Sequence, residues 1–113
     1  MPEPAPGRRD DRIASTHRGH GHALAEGAGL AGMVLGLHGR AGGHCGGKGG
    51  SMHTADFGAG MLGANGVVAG GIPTAVGAAQ GLRLLGSDAV VACFFGDGAG
   101  KASWRGAGAG RAA

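Results

Sequence analysis

Apolar side chains gather in a few short stretches of this chain, separated by glycine-rich connections. Leu30, Met33, Val34 and Leu37 fall at the i, i+3, i+4, i+7 spacing of one helical face, which predicts a helix within residues 23–37. Gly32 and Gly36 weaken it by about 1 kcal/mol each relative to alanine. Residues 39–66 show little but loop signals, and a loop of that length in a compact domain is either functional or disordered. The next stretch is more legible. Ile72 and Pro73 open the helix-length run TAVGAAQGLRLL, with proline where a first helical turn tolerates it. Gly86, Ser87 and Asp88 form a turn, and residues 89–95 (AVVACFF) follow as an uninterrupted apolar run. Such a run predicts a strand buried on both faces, as in a parallel sheet covered by helices. Gly96-Asp97-Gly98 ends it sharply. Helix, turn, buried strand and glycine turn make half of an α/β unit. Residues 1–14, rich in proline and charge, read as an irregular lead-in.

Composition narrows the picture. The chain has 113 residues, one small domain at most, and 29 of them are glycine. Leu, Ile, Val and Phe together number 19, a thin supply for a core. No stretch approaches the roughly 18 apolar residues of a membrane span. The opening MPEPAPGRRDDR has no apolar signal region, so a cytoplasmic chain is the expectation. Residues 1–97 balance seven basic against seven acidic side chains; Lys101, Arg105 and Arg111 carry the whole net charge of +3. A basic tail is not a basic stripe, and a nucleic-acid partner is discounted. Cys45 and Cys93 lie far apart and read as reduced thiols.

Three segments carry candidate chemistry. Asp97, between glycines beyond the carboxyl end of the predicted strand, lies where α/β sheets bind ligands and offers a hard oxygen to Mg²⁺. The same three letters also make an ordinary turn. The segment STHRGHGH places Arg18, suited to bidentate phosphate contact, among His17, His20 and His22. Those imidazoles, with His44 or Cys45, are also a conceivable transition-metal cluster, and a solvated loop is the plainer alternative. In GGKGGSMH, Lys48 is followed by Gly49 rather than Ser or Thr, which excludes a nucleotide P-loop and leaves a flexible glycine loop.

Taken in order, STHRGHGH, GGKGGSMH, GMLGANGVV and FFGDGA resemble the alpha subunit of thiamine diphosphate-dependent E1 dehydrogenases, the family of the pyruvate, branched-chain 2-oxo acid and acetoin enzymes. The resemblance spans about residues 8–99. It implies a partial thiamine diphosphate-binding α/β domain over 15–99, with parallel strands and a long glycine-rich cofactor loop. It further implies that His17 and Arg18 contact the cofactor diphosphate, that Gly66 and Val68 hold the aminopyrimidine by their backbone, and that Asp97 coordinates Mg²⁺ beside Gly98 and Ala99. No catalytic side chain is singled out. The implied partners are an E1 beta subunit and the lipoyl domain of E2; the implied reaction is oxidative decarboxylation of a 2-oxo acid, or acetoin cleavage, with acyl transfer to lipoyl-E2. After Ala99 the resemblance stops. The family's asparagine ligand to Mg²⁺, its later histidine loop and its helical lead-in have no counterpart, so the expectation is a truncated, inactive fragment whose 100–113 tail reads as out-of-frame translation. The competing expectations are a Gly/His-rich metal-binding or interaction segment, and a decayed gene product.

Overall fold

The computed structural model describes residues 10–101. Residues 1–9 of the lead-in and 102–113 of the tail lie outside them. Three parallel strands form one sheet in the order β2-β1-β3: β1 is Arg12–Thr16, β2 is Met61–Asn65 and β3 is Val91–Cys93. Two short helices, α1 (His20–Ala25) and α2 (Leu30–Leu37), follow β1; α3 (Gly71–Leu84) joins β2 to β3; α4 (Asp97–Gly100) follows β3.

Alternation along β1 sends Ile13 and Ser15 to one face and Ala14 to the other. On the first face Ile13 joins Met61 and Ala64 of β2, Ala23 of α1, Ala28, and Met33 of α2 in the core. Met61 and Ala64 are three residues apart, yet both belong to that face. A bulge resolves this: Ile13 pairs with Met61 and Ser15 with Ala64, so β2 spends one residue more than β1. Gly63 sits in the bulge at φ 149°, which glycine adopts without strain. Helix α3 packs over β1 and β3. Alanine dominates the buried residues, so the sheet and helices approach closely rather than interdigitating large side chains.

Several expectations are corrected here. The central strand β1 begins at Arg12, inside the segment read as an irregular lead-in. Residues 39–66, read as loop, contain β2, two single 3₁₀ turns and a kinked turn at His44–Gly47 with Cys45 and Gly46 left-handed. The helix predicted within 23–37 around Leu30, Met33, Val34 and Leu37 is α2, whereas α1 is a separate helix that Gly27 at φ 99° ends, with Gly29 extended ahead of α2. Of its predicted apolar face only Met33 is buried; Leu30, Val34 and Leu37 are exposed. Besides Met33, α2 packs glycine inward, since the backbone of His44 lies against Gly36 and its ring against Gly32. The run at 89–95 forms only a three-residue strand, paired on one side to β1 among the described residues. Val90 and Phe94 are exposed rather than buried on both faces. Helix α3 starts at Gly71 and places Pro73 in its first turn, where the missing N–H breaks no bond.

Candidate functional site

All three strands run the same way, so their carboxyl ends open on one side of the sheet, where α/β proteins place ligands. A cavity of about 500 Å³ lies there. From the end of β1 it is walled by Ser15, Thr16 and His17, and from the end of β2 by Asn65 through Ala69. From the end of β3 come Phe94, Phe95 and Gly96, with Ala99 of α4, Gly71 of α3 and His22 of α1 closing the sides.

Each wall has a local cause. Asn65 Oδ1 accepts from Val67 N at 2.8 Å, folding the chain after β2 into a tight turn. Ala69 completes that turn at φ 64°, a left-handed conformation for a residue with a Cβ, and is itself buried. Beyond β1 the backbone turns through Gly19 N donating to Thr16 O at 3.0 Å, which starts α1 directly over the strand end. Ser15 is 2% exposed, and its Oγ lies 2.7 Å from His22 Nδ1. The His22 ring stacks on Phe94 with centroids 4.3 Å apart and planes 19° from parallel. Gly19 makes room for this: a Cβ there would fall 2.7 Å from Ser15 Oγ.

The sequence-derived positions divide into two groups. His17, Gly66, Val68 and Ala99, from the segments that follow three different strands, meet in the cavity wall. Arg18, Asp97 and Gly98 are exposed neighbours of that wall and are not part of it. Asp97 opens α4 and its Oδ2 accepts from Lys101 Nζ at 2.9 Å; the two side chains are 86% and 75% exposed. An exposed i, i+4 pair of this kind is worth only about 0.3–0.5 kcal/mol. The imidazole cluster is not assembled: among the described residues no three His, Cys, Asp or Glu side chains converge on a metal position. His22 is tied to Ser15, while His44 Nε2 faces Asp56 Oδ2 at 3.9 Å and Cys45 Sγ donates to His53 O at 2.7 Å. Cys45 and Cys93 are both free thiols. Burial pushes the Cys93 thiol above its ordinary pKa. Lys48, in the glycine-rich loop, is exposed. The loop touches the site through His53, which packs beside Gly66.

Ser15, Phe94 and the role of His22 are absent from the sequence reading. No periodicity relates a strand serine to a helix histidine seven residues on. The partner ring lies 72 residues beyond His22.

The model of the family described as "Dehydrogenase E1 component" matches residues 5–104. The chain is 55% identical over 89 residues to the alpha subunit of acetoin:2,6-dichlorophenolindophenol oxidoreductase of Bacillus subtilis (strain 168), covering 79% of this chain and 27% of that protein. It is 52% identical over the same length to the protein of that name in Cupriavidus necator, with the same two coverages. To the pyruvate dehydrogenase E1 component subunit alpha of Rhizobium meliloti it is 38% identical over 92 residues, covering 81% of this chain and 26% of the relative. The chain therefore spans about a quarter of the length of these relatives.

Proposed function

From the premise that this chain belongs to the dehydrogenase E1 component family, we propose that its cavity is the alpha-subunit share of a thiamine diphosphate site. The observation that carries the reading is the meeting of His17, Gly66, Val68 and Ala99 at the carboxyl ends of three parallel strands. Its volume of about 500 Å³ lies within the range of organic cofactor pockets. The residues present fit the organic cofactor.

In this reading the backbone at Gly66 and Val68 receives the aminopyrimidine, and the tight turn between Asn65 and Ala69 holds those groups in place. His17 and Arg18 leave β1 at the cavity rim and bind the diphosphate, with the Gly98 and Ala99 amides near it. Asp97 is the carboxylate that would hold Mg²⁺, after exchanging Lys101 for the metal at little cost. The glycine-rich loop supports the pyrimidine side through His53. The bound cofactor would supply the nucleophilic carbon for cleavage beside a 2-oxo group; the protein supplies placement and charge.

The assembled enzyme would take a 2-oxo acid or acetoin, work with an E1 beta subunit, and pass its acyl group to the lipoyl domain of E2. The relatives named for acetoin and for pyruvate support both substrate classes. A cytoplasmic location belongs to the same reading and suits two free thiols. Calorimetric titration of the 113-residue chain tests it. Thiamine diphosphate with Mg²⁺ is expected to bind, thiamine to bind far less, and Arg18→Ala to weaken binding by about 10- to 100-fold, the worth of a charge-assisted phosphate contact. Equal affinity for thiamine and thiamine diphosphate, or no binding of either, would overturn the reading.

A further inference from the structure

Resting on the cavity reading above and deepening it, we propose that His22 is the cavity's fixed donor to an anionic oxygen of the bound molecule, with Ser15 as its positioning residue. The Ser15 side chain is buried, and its Oγ lies 2.7 Å from His22 Nδ1. Among the described residues Ser15 Oγ has no other hydrogen-bond partner. This decides the direction of the bond. If Nδ1–H were the donor, the buried hydroxyl hydrogen would be left without an acceptor. With the hydroxyl donating, both groups are satisfied, and neutral His22 carries its proton on Nε2.

The ring is held as well as protonated. Phe94 covers one face at a centroid distance of 4.3 Å, so rotation about the side chain would break the stack and the Ser15 bond together. Both rings belong to the cavity wall. Nε2 has no partner among the described residues, and unlike His20 Nε2 it is not sealed from solvent. It is therefore a donor prepared before any ligand arrives. Besides Ser15 and the His17 imidazole, the wall offers the neutral polar groups of Thr16 and Asn65, with Val67, Val68 and Phe95 apolar. An N–H in the wall of such a cavity suits a phosphoryl oxygen or a carboxylate. A diphosphate and a 2-oxo acid share that chemistry.

Nitrogen-edited imidazole NMR on the full chain, with inorganic diphosphate, pyruvate, and thiamine diphosphate plus Mg²⁺ added separately, tests the assignment. The free protein is expected to show His22 as the Nε2–H tautomer, and Ser15→Ala to erase that preference. Inorganic diphosphate or pyruvate should move the Nε2 signal, and whichever does so identifies the anion. His22→Phe keeps a ring against Phe94 and removes the donor; it should weaken that anion by about tenfold. An Nδ1–H tautomer, a His22 signal indifferent to both anions, or unchanged affinity in His22→Phe would overturn the proposal. If an anion moves His22 while thiamine diphosphate does not bind, the cofactor reading falls and the anion contact stands. If thiamine diphosphate binds and His22 stays silent, the proposal falls and the cofactor reading stands.

Discussion

Replacing Gly19 by alanine tests how tightly α1 is seated on the central strand. The added Cβ would lie 2.7 Å from Ser15 Oγ, 2.9 Å from Ser15 Cβ and 3.1 Å from Thr16 O. Neither obstacle yields cheaply, because Ser15 is a buried residue of β1, paired to β2 on one side. Overpacking of this kind costs about 1–3 kcal/mol. Gly19 also caps α1, where alanine is worse than glycine by roughly 0.5–1 kcal/mol. The expected loss is therefore about 1.5–4 kcal/mol, or a fall in Tm of roughly 6–32 °C for a domain this small. Gly21→Ala is the internal control. It lies in the same helix with nothing within 4 Å of the new methyl, and it should stabilise by up to about 1 kcal/mol. Ser15→Gly removes the two nearer atoms and leaves Thr16 O at 3.1 Å, so against the Ser15→Gly background Gly19→Ala should cost less by most of the steric part. Thermal unfolding followed by far-ultraviolet circular dichroism gives the cycle. A coupling energy below about 0.5 kcal/mol, or a Gly19→Ala variant as stable as Gly21→Ala, would refute the argument.

Three further outcomes follow from the packing. Gly43→Ala drives a methyl into the backbone of Gly36 and Leu35, and should cost about 1–3 kcal/mol by urea unfolding while leaving the strand-end cavity in place. Met61 is 0% exposed and is the largest fully buried side chain among the described residues, so Met61→Ala should cost about 2–5 kcal/mol, measured the same way. The Cys93 thiol is held protonated by burial, so its thiolate forms only as pH rises past the ordinary thiol range. Alkylation by iodoacetamide near pH 8 (read by mass spectrometry) should therefore label exposed Cys45 well before Cys93, and the Cys93 rate should climb at higher pH.

The elements that were legible in the sequence are those with a dense apolar signal. The run at 89–95 announced β3, and TAVGAAQGLRLL announced α3. β1 and β2 were not legible for a shared reason. RIAST follows a charge-rich segment and ends in two hydroxyl residues, and MLGAN carries two small residues in five. Neither has the β-branched or aromatic density by which a strand is recognised. They are strands because their neighbours are small: Ala14, Ala23, Ala28 and Ala64 let backbones close in, and a pattern of alanines and glycines has no periodicity to read. The ordered motifs supplied His17, Gly66, Val68 and Ala99, which line the cavity, and Arg18, Asp97 and Gly98, which do not. The bond between Ser15 and His22 is a tertiary fact with no spacing of its own.

The strand order explains why motifs so far apart in the chain share a cavity. From β1 the chain passes to one neighbour, β2, and then returns across the sheet to the other, β3. At such a reversal the connections leave the sheet on opposite sides and a crevice opens beyond the strand ends. His17 borders it from β1, Gly66 and Val68 from β2, and Gly96 and Ala99 from β3. The crevice would be a simple gap were it not spanned by the His22–Phe94 stack, which ties the helix leaving β1 to the segment leaving β3. That tie depends on Ser15 beneath it and on the absence of a side chain at Gly19. A glycine-rich chain with few large apolar residues thus fixes the geometry of its cavity by close backbone approach and one ordered ring pair. Substitutions that add a single methyl at Gly19 should consequently disturb the ligand site and the fold together, whereas those at open glycines such as Gly21 should disturb neither.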